Sequence, residues 1–289
     1  MTARGAGRAA GLLAALLALA LCPALARAQA PVFPCSVLRT LPHDEAAFTQ
    51  GLLMHQGEFI ESTGLYGQSS LRRVDPETGR ARLAASLPGR LFGEGAAICP
   101  PDGQPGSRLA QLTWKEGVAF FYEAETLRPA GSARLRGEGW GLACAPASGG
   151  APARFVLSDG TDTLRLLDAR TLAEAGRLRV WERGRAGAVP VERLNELEWH
   201  NGWIIANIWG RDALALIRGD TGEVAAWMDL SPLRPLLKNP RAEAANGVAV
   251  DRSGRRLFVT GKLWDAVFVL EMPQMLTRPP VPHGQPHLR

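Results

Sequence analysis

The chain has 289 residues, 46% of them hydrophobic and 21% charged, with a formal net charge of +5. Three of its arginines, Arg4, Arg8 and Arg27, lie in an acid-free first 28 residues, so without that segment the charge falls to +2 and no nucleic-acid partner follows from it. The four cysteines include no CxxC pair and have no histidine at ligand spacing, which argues against a zinc site.

Arg4 and Arg8 precede an uncharged apolar run from Gly11 to Cys22, and small residues then close on Ala26-Arg27-Ala28. This is the layout of a signal peptide, residues 1–28, with cleavage expected after Ala28. The mature protein is then exported, to the periplasm or out of the cell, keeps no membrane attachment, and begins at Gln29. That glutamine is itself a candidate for N-terminal cyclisation. An exported compartment permits one disulfide among Cys35, Cys99 and Cys144, and their spacing does not choose the pair.

The remaining length suits one large all-β domain or two smaller ones, and repeats decide between them. One unit recurs five times: a polar residue, usually a glycine, an apolar strand, a Gly-containing turn and a second apolar strand. The copies begin at Gln50, Glu94, Trp140, Asn195 and Asn246, spaced by 44, 46, 55 and 51 residues. Between copies lie turns built on an acid and a threonine, such as Asp75-Pro76-Glu77-Thr78-Gly79 and Asp168-Ala169-Arg170-Thr171-Leu172. About four short strands per repeat predict an all-β, five-bladed β-propeller of four-stranded antiparallel blades around a central channel, spanning residues 29–272. The N-terminal stretch Val32 to Leu41 is expected to close the ring by pairing with the last blade. Residues 273–289 are Pro-rich and aperiodic and are expected to form a frayed tail.

The start of the innermost strand is equivalent in every blade, so the five copy-starts should meet at one mouth of the channel. The ends of the second strands bring another set there, including Trp114, Trp209 and the Lys262-Leu263-Trp264 run. Only three residues of the chain are lysines, Lys115, Lys238 and Lys262, so each is a departure from the arginine used elsewhere. The tryptophans suggest a cage for an amine, an amide or a sugar face, with inter-blade packing the competing role and Trp264 the best candidate for it.

Several blocks in one order carry a family resemblance over nearly the whole mature chain: Ala47-Phe48-Thr49-Gln50-Gly51-Leu52, Phe92-Gly93-Glu94-Gly95, Gly139-Trp140-Gly141-Leu142, Leu194-Asn195-Glu196-Leu197-Glu198, Ala206-Asn207-Ile208-Trp209 and Val259-Thr260-Gly261-Lys262-Leu263-Trp264. The sequence resembles the glutaminyl-peptide cyclotransferases of plant and bacterial type. The resemblance implies a monomeric propeller enzyme that needs no cofactor and no metal for its chemistry. Its substrates would be peptides and proteins with N-terminal glutamine, converted to pyroglutamate with release of ammonia. It implies Glu94 as acid/base, Asn195 and Lys262 as polar catalytic residues, and Phe48, Gln50, Phe92, Trp114, Trp140 and Trp209 as the pocket for the glutaminyl end. His43, beside Asp44, is a candidate supporting group or a turn residue.

Two other readings compete. A calcium-dependent lactonase-type propeller would use Glu94, Asn195, Asn246 and Asp159 as oxygen ligands. A non-catalytic propeller would merely bind peptides at the same mouth.

Overall fold

The computed structural model describes residues 29–100 and 108–281. The expected signal peptide, residues 1–28, lies outside the described residues. Strands dominate; the helical elements among the described residues are two short 3-10 turns, Ser231–Leu236 and Gln274–Thr277.

Five four-stranded antiparallel units follow one another. Blade I runs through Thr49–His55, Glu58–Thr63, Ser70–Val74 and Ala81–Ser86. Blade II comprises Gly93–Cys99, Arg108–Thr113, Val118–Tyr122 and Pro129–Arg134. Blade III comprises Leu142–Ala145, Arg154–Leu157, Thr163–Asp168 and Glu174–Arg179. Blade IV has Leu194–His200, Trp203–Ile208, Ala213–Arg218 and Val224–Asp229. Blade V has Ala245–Val250, Arg256–Gly261 and Ala266–Glu271, with its outer edge supplied by Val37–Pro42. The first strand of each unit is innermost, and the five innermost strands contact their neighbours in cyclic order, closing a five-bladed propeller.

The acid-and-threonine turns join the third and fourth strands of their blades. Asp75 Oδ1 accepts the backbone N–H of Glu77 (2.9 Å) and Thr78 (3.0 Å), and Asp168 Oδ1 accepts those of Arg170 (3.1 Å) and Thr171 (2.8 Å). A carboxylate that satisfies two turn amides fixes the hairpin locally. Apolar side chains from facing blades fill the space between sheets, as where Phe59 of blade I meets the edge of Phe258 of blade V at 5.1 Å.

The N-terminal stretch departs from expectation. Only Val37–Pro42 pairs with the last blade, antiparallel to Ala266–Glu271; Val32–Pro34 instead adds a parallel fifth strand to the outer edge of blade IV. The chain changes sheets at Cys35 and Ser36, where Cys35 N–H donates to Asp229 and the Ser36 carbonyl accepts from Glu271. The stretch therefore ties blades IV and V together as well as closing the ring.

The C-terminal stretch is also docked as far as it is described. Leu276 is fully buried in the core shared by blades IV and V, and Trp203 Nε1 donates to the Arg278 carbonyl at 2.8 Å. Periodicity fails to report such a segment because it is anchored by single residues rather than by a strand. An additional hairpin, Trp181–Gly184 with Gly187–Pro190, packs against blade IV through Trp227 Nε1, which donates to Glu182 at 2.9 Å. It accounts for the longest repeat spacing, between Trp140 and Asn195.

Cys99 and Cys144 form a disulfide between the innermost strands of blades II and III, leaving Cys35 unbridged. Among the described residues no helix is long and apolar enough to cross a membrane.

Candidate active site

Four of the five innermost strands, those of blades I, II, IV and V, carry an irregularity where the repeat begins. The register slips between Thr49 and Gly51, Gly93 and Ala96, Leu194 and Leu197, and Ala245 and Val248. A bulge inserts one residue and re-aims its side chain, which is how Gln50, Glu94, Asn195 and Asn246 leave the alternating pattern of their strands. The glycines that follow are needed for contact between blades. A Cβ on Gly51 would stand 2.7 Å from the Ala96 nitrogen, on Gly95 2.6 Å from the Trp140 carbonyl, and on Gly141 2.0 Å from the Asn195 carbonyl.

Blade IV has Glu196 where the others have glycine. Its carboxylate crosses the channel and accepts the N–H of Leu52 in blade I (3.2 Å) and of Val248 in blade V (2.8 Å). Burial holds the Glu196 carboxyl well above the ordinary carboxylate range, and pushes Glu198, two residues on, up to about 8. Glu198 also accepts from the Val250 backbone of blade V.

A second set of residues arrives through a recurring backbone bond. Gly64 N–H donates to Phe48, Trp114 to Phe92, Trp209 to Arg193 and Lys262 to Ala244, so in blades I, II, IV and V the end of the second strand is stitched beside the residue preceding the innermost strand. Trp114, Trp209 and Lys262 thus occupy equivalent places around the mouth.

Glu94, Gln50, Asn195 and Lys262 are all buried. Burial drives the Glu94 carboxyl well above the usual carboxylate range, opposed chiefly by the Lys262 cation and by a hydrogen bond from Gln50; Glu116 and Glu138 push it further up. Burial lowers the Lys262 ammonium, opposed by Glu94 and Glu243. Each charge is therefore short of water, and each is the other's main support. Lys262 Nζ also stands 4.7 Å from the centre of the Phe48 ring, a cation–π contact.

The amide nitrogen of Asn246 is committed to blade I, while its Oδ1 is not. Its Nδ2 donates to Gln50 Oε1 (2.9 Å) and to the Thr49 carbonyl (3.0 Å), which turns the Gln50 amide nitrogen toward Glu94. Glu94 Oε2, Asn195 Oδ1, Asn207 Nδ2 and Asn246 Oδ1 are buried without a hydrogen-bond partner. Unpaired buried polar atoms are costly, and several together mark a place adapted to a polar guest.

The aromatic residues form the walls. Phe92 meets Phe48, Tyr66 and Trp114 edge to face at 6.2, 5.4 and 5.6 Å, and Trp140 meets Trp209 at 6.0 Å. Trp209 is 47% exposed at the rim. Trp264, in contrast, is fully buried, donates to the Glu243 carbonyl and packs on Phe268; its role is structural.

One residue absent from the sequence-based set joins the two walls. Glu138 Oε2 accepts both Trp114 Nε1 (2.9 Å) and Trp140 Nε1 (3.0 Å), while Oε1 lies 3.8 Å from Lys115, whose ammonium stands over the Trp114 ring. The signal available in sequence was Gly137-Glu138-Gly139, a carboxylate between glycines two residues before the Trp140 repeat start. His43 is not a turn residue alone, because its ring is bonded to Glu61 and to the Trp264 carbonyl.

One member of the oxygen-ligand set considered for calcium is committed elsewhere. Asp159 Oδ1 is engaged in its own turn with the Thr161 N–H and hydroxyl, whereas Glu94 Oε2, Asn195 Oδ1 and Asn246 Oδ1 are left without a partner. Among the described residues no group of three or more His, Cys, Asp or Glu side chains is placed to hold a metal ion.

The fold and site define a five-bladed propeller with one aromatic-walled mouth around a buried carboxylate and lysine. The family model for glutamine cyclotransferase matches residues 10–272. A curated relative, glutaminyl-peptide cyclotransferase of Arabidopsis thaliana, is 37% identical over 243 residues, covering 82% of this chain and 71% of that protein. The crystal structure of Myxococcus xanthus glutaminyl cyclase superposes with a TM-score of 0.71 at 37% identity, over 84% of this chain and 97% of that one. The chain belongs to the glutamine cyclotransferase family.

Proposed function

We propose that the protein is a glutaminyl-peptide cyclotransferase, exported from the cytoplasm, which closes the N-terminal glutamine of peptides and proteins to pyroglutamate and releases ammonia. The observation that carries this reading is a buried carboxylate, Glu94, whose charge is supported chiefly by Lys262 at an aromatic-walled mouth, in a chain of this family.

The α-amine and the side-chain amide of the substrate are tethered, so the protein's task is to hold a cyclic geometry rather than to bring reactants together. The walls formed by Phe48, Phe92, Trp114, Trp140 and Trp209 grip the glutaminyl end. An α-amine has a pKa of about 7.7–8.0. Glu94, raised above the carboxylate range by burial, is a base of suitable strength to take its proton as it attacks the amide carbon. The same proton then passes to the departing nitrogen, which leaves as ammonia. Negative charge grows on the amide oxygen in the tetrahedral intermediate, and Asn195 or Lys262 donates to it, an effect of about 3–4 kcal/mol per donor. Gln50, fixed by Asn246, orients the Glu94 carboxyl.

None of these steps calls on a metal ion. Ammonia release from a Gln-initiated dipeptide should therefore persist in excess chelator. Loss of that release on chelation, or hydrolysis of sugar lactones in its place, would overturn the reading.

A further inference from the structure

His43 lies between the N-terminal closing strand, blade I and blade V, and its side chain is almost wholly inaccessible. Nδ1 is 2.7 Å from the Trp264 carbonyl, and Nε2 is 2.9 Å from Glu61 Oε1. A carbonyl can only accept. Glu61 can only accept as well, because its carboxylate already receives the Thr49 hydroxyl (2.7 Å) and the Arg72 guanidinium (2.5 Å), and His43 and Arg72 hold it far below the ordinary carboxylate range against the cost of burial. The nearby Thr260 hydroxyl, 3.4 Å from Nδ1, spends its own proton on the Ala266 carbonyl. Both ring nitrogens must then carry hydrogen, and the ring is an imidazolium. The charged groups that face it are Glu61 and Arg72 from blade I, with Asp44 beyond Arg72; blade V presents the Trp264 carbonyl and the Thr260 hydroxyl.

The carbonyl it holds belongs to the segment that carries Lys262. That segment is otherwise tied by Lys262 N–H to Ala244, Leu263 N–H to Ala47 and Asn239 Nδ2 to the Leu263 carbonyl, with Leu263 itself in the left-handed region at φ 59°. A non-glycine residue keeps that conformation only where its surroundings impose it. His43 is the side chain that secures the far end of the turn.

We propose that His43 is a positioning residue of the reaction: its imidazolium holds the Gly261-Lys262-Leu263-Trp264 turn through the Trp264 carbonyl and so sets the Lys262 ammonium against Glu94. The inference rests on the role given to Lys262 in cyclisation. The folded-state pKa of His43 is raised above its ordinary 6.5 by Glu61 and the Trp264 carbonyl, which outweigh burial. The stabilisation is thus fully present below that ordinary value and is lost as pH rises through the folded value. Activity should fall on the same alkaline limb.

Two near-isosteres separate the ring's two bonds. His43→Asn keeps a donor on the Nδ1 side, toward the Trp264 carbonyl; His43→Gln keeps one on the Nε2 side, toward Glu61. Both should lower Tm. We expect His43→Asn to retain kcat within a few-fold and to lack the parental alkaline limb, and His43→Gln to lose kcat about ten- to a hundredfold with KM little changed. Equal kcat losses that simply follow Tm, or an alkaline limb unchanged in both variants, would overturn the inference while leaving the cyclase reading intact. A parent that releases no ammonia from Gln-initiated peptides would overturn that reading and the inference with it. Independently of activity, the 15N spectrum at about pH 6.5, where an ordinary imidazole is half protonated, should show the His43 ring mostly protonated at both nitrogens; a mostly neutral ring at that pH rejects the inference.

Discussion

Glu94 and Lys262 oppose each other in a water-poor mouth, and the balance between them sets the working pH of the site. Lys262 is the largest influence holding the Glu94 carboxyl down against burial. Lys262→Met removes that cation, so the Glu94 pKa rises further and the acid limb of the kcat/KM profile should move to higher pH, by about 1 to 3 units. An acid limb that stays in place would show that Glu94 is not the titrating base. At this scale most of the site was legible in the sequence, because repeat phase alone brought Gln50, Glu94, Trp140, Asn195 and Asn246 to one place. What could not be read was the division of labour. Asn246 serves Gln50, and Glu138 couples two indoles from outside the repeat, because side-chain pairing across blades leaves no periodic trace.

At the scale of the strand, the bulge and its glycine act together in blades I, II and V, while blade III has the glycine, Gly141, without a register slip. The bulge turns a polar side chain inward, and the missing Cβ lets the next blade close over it. Gly141→Ala would drive a methyl group into the Asn195 carbonyl at 2.0 Å, so it should lower stability by about 1–3 kcal/mol and displace Asn195, with kcat falling more than that loss alone explains. Gly176→Ala, on an outer strand where a Cβ meets nothing nearer than 3.5 Å, should stay within about 0.5 kcal/mol of the parent in denaturant unfolding. Equal effects at the two positions would contradict this account of the innermost strands. The glycines were visible as a repeat, whereas Glu196 was visible only as the copy that lacks its glycine. Its bonds to Leu52 and Val248 identify it as the group that spans the channel, which only the closed ring could reveal.

For the whole molecule, ring closure depends on a short N-terminal stretch divided between two blades. A variant beginning at Ser36 loses only the parallel strand on blade IV and should remain folded with a lower Tm. One beginning at His43 loses Val37–Pro42, leaves the Ala266–Glu271 edge unpaired, and should lose cooperative thermal unfolding and peptide cyclisation together. A folded, active protein from the shorter variant would mean the ring closes without its strand. Sequence gave the number of blades but misplaced Val32–Pro34, since a β-rich stretch does not declare which of two edges it will join.

The central claim is that the five strand starts converge so that one carboxylate handles the proton of a bound glutaminyl end. It is tested most directly by Glu94→Gln, a change of one atom type at constant shape, assayed for kcat on a Gln-initiated peptide beside the parent at matched Tm. The account predicts a fall of about 10²–10⁴-fold in kcat with KM nearly unchanged; a variant that turns over at the parental rate would contradict it.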